Sequence, residues 1–122
     1  MSFPQRETVT VTTNGLGAGT ALTSPIRGRL LSIIYEKVNF SDGVDFSVVT
    51  ATTGRAIWVQ SNVNASVALS PRAAKQSIDG GDATYQGSVF VLETVDLADE
   101  AVRFSVANGG GTTSGMFTVI WQ

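Results

Sequence analysis

The chain has 122 residues and a formal net charge of −2, and 15% of its residues are charged. It contains neither cysteine nor histidine, which excludes disulfides, thiolate chemistry and histidine-based catalytic or metal sites. It has no basic stripe and no apolar run near the roughly 18 residues of a membrane span, so we expect neither nucleic-acid binding nor membrane insertion.

The low charge bears on self-association. Ordinary soluble domains have about 25% charged residues, whereas this chain has 15%. Hydrophobic residues make up 43% of it. A small chain with few charges stays soluble more easily when part of its surface is buried against a partner. We therefore expect an oligomer or an assembly component, and the alternative is a monomer coated with serine, threonine and asparagine.

Period-two alternation predicts strands that have one face in a core. Valine alternates with threonine in residues 8–12, and valine or phenylalanine alternates with polar residues in 44–48 and 102–106. Valine, threonine and isoleucine supply 35 of the 122 residues, and these β-branched residues favour pleated, half-buried surfaces.

Three further runs are apolar on both phases, namely residues 29–38, 88–94 and 116–121. This pattern predicts strands that are covered on both faces, although one side of a lone antiparallel sandwich is normally wet. A neighbouring molecule would supply the second cover. The alternative is an inner strand with a few surface apolar residues, which are common.

Clusters of glycine, asparagine and aspartate separate these runs at intervals of roughly ten residues. Residues 70–77 and 96–103 are the two places where a helical turn would fit. The pattern predicts an all-β fold, a single antiparallel β-sandwich or closed barrel of about eight strands. We expect one domain over residues 8–122, preceded by an extended arm at 1–7.

Paired carboxylates are the first candidates for chemistry. Asp42 and Asp45 flank one turn, and Asp79 and Asp82 flank another. Either pair could contribute oxygen ligands to Ca²⁺, but neither has the ligand count of a recognised loop, and turn chemistry is the favoured interpretation. With no histidine or cysteine to build a usual triad, we expect no catalytic residue, no cofactor and no metal.

Aromatic residues raise a second possibility, because rings can stack on sugars. Tyr35, Trp58, Tyr85 and Trp121 are the candidates. Rings on apolar strands more often fill a core or an interface, which is the favoured interpretation. A glycan-binding β-sandwich therefore stays open as an alternative function.

Arg72 follows Ser70 and Pro71. The residue before a proline is held extended, so the segment displays Arg72 with little backbone freedom, which suits a bidentate contact to a carboxylate. The sequence does not decide between a contact to another subunit and an internal salt bridge that pins the loop.

Several hairpin motifs together resemble small structural proteins of tailed-bacteriophage virions. They are "GRLLSIIYEKVNFSDGVDFSVVTATTGRAIW", "SNVNAS", "SPRAA" and "VRFSVANGGGTTSGMFTVIWQ", and they cover about residues 27–122. The resemblance implies a non-enzymatic virion component, located on the capsid after assembly in the host cytoplasm. Among such components the chain is most similar to a capsid decoration, or cement, protein.

A decoration protein is expected to bind between subunits of the phage major capsid protein and to self-associate, most often as a homotrimer. We expect Phe3, Pro4 and Arg6 of the arm to contact the capsid, and Arg72 and Trp121 to lie at subunit or capsid interfaces. The alternatives are a head–tail connector or tail accessory protein, and a glycan-binding module on the virion surface.

Overall fold

The computed structural model describes residues 4–74, 84–85, 89–90 and 92–122. Their strands form two antiparallel sheets that pack against each other around one core. This confirms the predicted all-β fold as a β-sandwich, and the alternative of a closed barrel is wrong because the two sheets are separate. No helix occurs in the described ranges, which hold twelve strands instead of about eight. The strands are β1 (Gln5–Thr12), β2 (Gly19–Leu22), β3 (Ile26–Lys37), β4 (Val44–Thr50), β5 (Ala56–Val63), β6 (Val67–Leu69), β7 (Arg72–Ala74), β8 (Thr84–Tyr85), β9 (Val89–Phe90), β10 (Leu92–Glu100), β11 (Val102–Ala107) and β12 (Ser114–Trp121).

The larger sheet has six strands in the order β1-β12-β3-β10-β7, with β6 also beside β3. Strand β3 pairs with β12 along one edge and shares its other edge between two strands. Its first part, up to Leu30, pairs with β10, and its residues 33–35 pair with β6. The smaller sheet has the order β2-β11-β4-β5, and β8 and β9 form a separate two-stranded pair.

Alternate residues of both sheets build the core. Val44, Phe46 and Val48 of β4 are buried while the residues between them are partly exposed, as the period-two pattern predicts. Phe46 lies at the centre, with its ring 4.9 Å from that of Trp58 and 5.1 Å from that of Phe117. The buried hydrophobic residues are Val11, Ile26, Leu30, Ile33, Tyr35, Phe40, Val44, Phe46, Val48, Trp58, Val63, Val95, Leu97, Val102, Phe104, Val106, Phe117 and Val119.

The boundary predicted between an arm at 1–7 and a domain at 8–122 falls inside strand β1. This strand begins at Gln5, and Gln5, Arg6 and Glu7 pair with Trp121, Ile120 and Val119 of β12. The Glu7 side chain also accepts a hydrogen bond from the backbone N–H of Ser24 at 2.9 Å. Residues 5–7 are therefore part of the six-stranded sheet.

The prediction that a helical turn would fit in residues 96–103 is wrong. This segment is the end of β10 and the start of β11, and Val95 and Leu97 alternate into the core. The pairing of β10 with β3 slips at Asp99, which has a φ of 60°. Aspartate tolerates this left-handed conformation better than most residues, so a bulge and not a helix accounts for the polar run.

Three loops meet at one end of the sandwich, at residues 13–18, 38–43 and 108–113. The Oγ1 of Thr13 donates to the carbonyl of Gly110 at 2.7 Å, and its backbone N–H donates to Thr113 at 2.8 Å. Asn14 accepts the backbone N–H of Leu16 at 2.8 Å, which leaves Leu16 at the loop tip, 91% exposed.

Candidate interaction surfaces

Among the described strands, β1 is one edge of the six-stranded sheet, and three of the predicted contact residues lie on or beside it. Pro4 and Arg6 are exposed at the start of β1, and Gln5 between them pairs directly with Trp121. The pairing of β1 with β12 therefore places Pro4 and Arg6 near Trp121 in the backbone, although Arg6 pairs with Ile120 on the outer face and Trp121 packs against the core. Phe3 lies outside the described residues.

Trp121 exposes only part of its side chain to a partner. It pairs with Leu30 of β3 and packs against the hydrophobic core, so it is half-buried. Its inner part contributes to the packing of the sandwich, and only the remaining surface is free for contact with another chain.

Arg72 lies at the opposite edge of the same sheet, on β7. Its side chain is exposed, and its Nη1 donates to the carbonyl oxygen of the preceding Pro71 at 2.7 Å. Pro71 itself is buried. This backbone contact leaves the guanidinium at the surface, and both interpretations of Arg72, a salt bridge that pins the loop and a contact between subunits, stay predictions.

The outer face of the six-stranded sheet carries an apolar strip. Ile34, Met116 and Ile120 are half-buried on this face, and Thr118 between them is only 3% exposed. The hydroxyl groups of Thr118 and Thr8 share a hydrogen bond of 2.9 Å. This strip explains why β3 and β12 are apolar on both phases.

The outer face of the four-stranded sheet is the surface that the sequence reasoning missed. Leu22 and Val59, at its two edges, are 52% and 64% exposed. Alternation in β4 and β11 indicates which of their residues face outward, but it does not show that Leu22 and Val59 lie on the same face. We call this surface the small-sheet face, and its residues are Thr20, Leu22, Asp45, Ser47, Val49, Ala56, Val59, Arg103, Ser105 and Ala107.

A shallow pocket of about 220 Å³ lies at one end of the small-sheet face. Ser47, Ser105 and Ala107 line it, Val59 stands at its side and Asp45 lies at its rim. Its small side chains leave room for a bulkier side chain from outside.

Asp45 joins three segments beside this pocket. Its carboxylate accepts the backbone N–H of Asn62 at 2.9 Å and the Nδ2 of Asn108 at 2.7 Å. Both asparagines are left-handed, with φ of 56° and 58°, so one carboxylate stabilises two unusual backbone positions. These hydrogen bonds lower the pKa of Asp45, the bond from Asn62 most strongly.

Glu100 has a similar role at the other end of the sandwich. Its Oε1 accepts the backbone N–H of Thr53 at 2.6 Å and that of Thr52 at 2.8 Å. These bonds tie the end of β10 to the turn between β4 and β5. The contact with Thr53 is the largest of the effects that lower the pKa of Glu100.

Of the two carboxylate pairs considered for Ca²⁺, the structure describes only Asp42 and Asp45, and their carboxylates have different partners. Asp42 forms an ion pair with Lys37, whereas Asp45 is bonded to Asn62 and Asn108. Asp79 and Asp82 lie outside the described residues. Within the ranges that the structure describes, no three acidic residues come together in a way that could hold a metal ion.

Two of the four rings considered for sugar stacking are enclosed by the core. Tyr35 has no exposed surface and Trp58 is 7% exposed, so neither offers a face to a sugar. The Nε1 of Trp58 also donates to Gln60 at 3.1 Å. Trp121 is half-buried, and the side chain of Tyr85 lies outside what the structure describes.

Comparisons with known proteins add no family. No protein-family model matches the chain, and no curated protein sequence matches it. In the part of the chain that the structure describes, no helix is long and apolar enough to cross a membrane.

Proposed function

We propose that the protein is a non-enzymatic structural component of a tailed-bacteriophage virion. In this proposal it decorates and stabilises the capsid by binding between subunits of the major capsid protein. It assembles in the host cytoplasm, self-associates as a homotrimer, and needs no cofactor.

The observation that carries the proposal is the sequence resemblance over residues 27–122. The motifs behind it form β3, β4, β5, β7, β11 and β12, so they specify much of the framework of the sandwich. Motifs of this kind fit a protein whose task is to present surfaces, because they supply core residues and turns instead of a set of reactive side chains.

The β1 edge is the surface that we assign to the capsid. Pro4 and Arg6 are exposed there, beside the half-buried Trp121. Antiparallel edge strands present unpaired backbone groups that another chain can extend. Arg72, at the other edge of the sheet, is assigned to a contact with a second subunit or with the capsid.

The test is binding of the purified protein to capsids that lack it. Saturable binding of hundreds of copies to expanded capsids, with greater capsid stability to heat, is expected. Arg6→Glu should weaken binding, because it reverses a charge at the proposed contact. Arg55→Glu makes the same change on the exposed turn before β5 and should leave binding unaltered.

Other outcomes would favour the alternatives. A copy number of tens or fewer in purified virions indicates a head–tail connector or tail accessory protein, because such parts follow the symmetry of one vertex. A sugar-dependent rise in melting temperature indicates a glycan-binding module. A monomer with no affinity for capsids contradicts the proposal.

A further inference from the structure

The small-sheet face has few charged side chains, and the two that it has are of opposite sign. Its two charged side chains are Arg103 on β11 and Asp45 on β4. Arg103 is exposed and has Leu22 and Val49 as its cross-strand neighbours. The face therefore carries one positive charge and one negative charge, with neutral residues between them.

The register fixes how far apart the two charges are. Ala107 lies four residues along β11 from Arg103 and pairs with Asp45 on the adjacent strand. At about 3.4 Å per residue and about 4.8 Å between strands, Arg103 and Asp45 are roughly 14 Å apart, on a line about 20° from the strand direction.

A surface with one charge of each sign is complementary to a copy of itself. In a two-fold pair the same patch is used twice, so residue i contacts residue j and j contacts i. A two-fold axis perpendicular to the line between the charges places Arg103 of each copy opposite Asp45 of the other. The strands of the two stacked sheets then cross at about 40°, close to the roughly 30° of aligned sheet packing.

The same arrangement covers the exposed apolar residues. Leu22 of each copy comes close to Ala107 of the other, at the edge of the shallow pocket, and Val59 comes near Ala56. Ala107 is one of the small residues that line the pocket, so there is space beside it for the leucine. Removing Leu22 and Val59 from water favours association, and only two charged groups per copy have to be desolvated, each against a partner of opposite charge.

We propose that the small-sheet face is a self-association surface, on which a second copy of this chain binds through a two-fold contact with reciprocal Arg103–Asp45 pairs. This contact is independent of capsid binding. A three-fold contact would use a different surface, and in a closed assembly with both contacts each chain still has one two-fold partner. The pairing therefore predicts an even number of chains in solution.

The first test is the mass of the purified protein by light scattering or sedimentation over a series of concentrations. A dimer or a hexamer is expected. A monomer or a trimer at every concentration overturns the two-fold pairing. A trimer does so without contradicting the proposal of capsid decoration. High salt should weaken the association, because the reciprocal pairs at its rim are screened.

The second test exchanges the charges. Arg103→Glu and Asp45→Lys should each weaken self-pairing by about tenfold or more, because each places like charges opposite one another. Mixed together, the two variants should form a heteropair, because both contacts between unlike variants join opposite charges. If the mixture associates no better than either variant alone, the pairing is overturned.

Two controls accompany the exchange. Asp45→Lys also removes the hydrogen bonds to Asn62 and Asn108 and could prevent folding, so Val59→Glu serves as a second variant. Val59 is 64% exposed, and its substitution should abolish pairing without unfolding the chain. Arg6→Glu, on the other sheet, should leave pairing unchanged, and a loss of pairing in this control would contradict the assignment of the face.

Discussion

Tyr35 is the aromatic residue of β3 and has no exposed surface. Its ring lies 5.1 Å from that of Phe46 and 5.2 Å from that of Phe117. Its hydroxyl finds no hydrogen-bond partner in the described part of the chain. Burial of an unpaired polar group is costly, and the same desolvation raises the pKa of Tyr35.

Tyr35→Phe should therefore raise the free energy of unfolding, by about 1 kcal/mol, because it keeps the ring and removes the unpaired hydroxyl. Tyr35→Leu, which loses the ring contacts, should lower it by about 1–3 kcal/mol. Urea unfolding at neutral pH measures both. A clear loss of stability in Tyr35→Phe would show that the hydroxyl has a partner.

The raised pKa of Tyr35 gives a second signature at high pH. The folded-state pKa exceeds the ordinary value of 10.0, so the unfolded chain loses its proton first and the wild-type protein loses stability as pH rises above about 10. Tyr35→Phe should lose less stability over this range. Equal alkaline losses in both proteins would contradict the role given to the hydroxyl.

Glu100 and Asp45 should make the fold sensitive to acid. Hydrogen bonds lower the pKa of each in the folded state, so their stabilisation is present above the ordinary values of 4.5 and 3.8 and is lost as pH falls below them. Glu100→Gln and Asp45→Asn should be less stable than the wild type at pH 7, and the difference should shrink toward pH 3.

Unfolding curves at several pH values measure this effect. Glu36→Gln, at an exposed position of β3, provides the matched control and should show little difference from the wild type across the range. If the difference in free energy of unfolding between Glu100→Gln and the wild type stayed constant with pH, the charge of Glu100 would not be the cause of its stabilising role.

At the scale of elements, β12 depends on a close approach at Gly115. A Cβ at this position would overlap the ring of Phe40, which is buried at the end of the sandwich. Gly115→Ala should therefore lower the free energy of unfolding by about 1–3 kcal/mol, the usual cost of overpacking. Thermal or urea unfolding measures it.

Gly15→Ala is the matched control for this prediction. A Cβ at Gly15 meets nothing within 4 Å, so this variant should be neutral or slightly more stable, because alanine reduces the freedom of the unfolded chain. Equal losses in the two variants would mean that packing against Phe40 is not the cause.

The elements that the sequence predicted correctly are those whose periodicity is set by one core. The strands at 44–48 and 102–106 are confirmed because each buried side chain there is flanked by partly exposed ones. The segment at 96–103 was misinterpreted because a left-handed Asp99 interrupts the alternation. Short local sequence does not reveal a bulge, since its conformation depends on pairing with a distant strand.

At the scale of the whole molecule, one core joins both sheets. We therefore expect cooperative unfolding in a single transition. Tryptophan fluorescence, which includes the buried Trp58, and far-ultraviolet circular dichroism should give the same midpoint. Two separate midpoints would show that the sheets unfold independently. Trp58→Phe would then leave Trp121, on the larger sheet, as the source of the fluorescence signal.

The interaction surfaces were only partly predictable. Pro4 and Arg6 were predicted together as part of an arm and Trp121 was predicted separately, and their proximity follows from the pairing of β1 with β12. The small-sheet face could not be read from the sequence, because Leu22, Asp45, Val59 and Arg103 become neighbours only through the order of four strands. A surface is a property of topology, whereas alternation reports on one strand at a time.

The pairing of Gln5 with Trp121 has a mechanical consequence. Strands β1 and β12 are antiparallel neighbours, so the start of one and the end of the other lie side by side. Tension that pulls Gln5 and Trp121 apart would open this ladder one pair at a time, instead of loading all its hydrogen bonds together. The sandwich should yield easily to a pull through these two residues and should resist better when the load is spread over its faces.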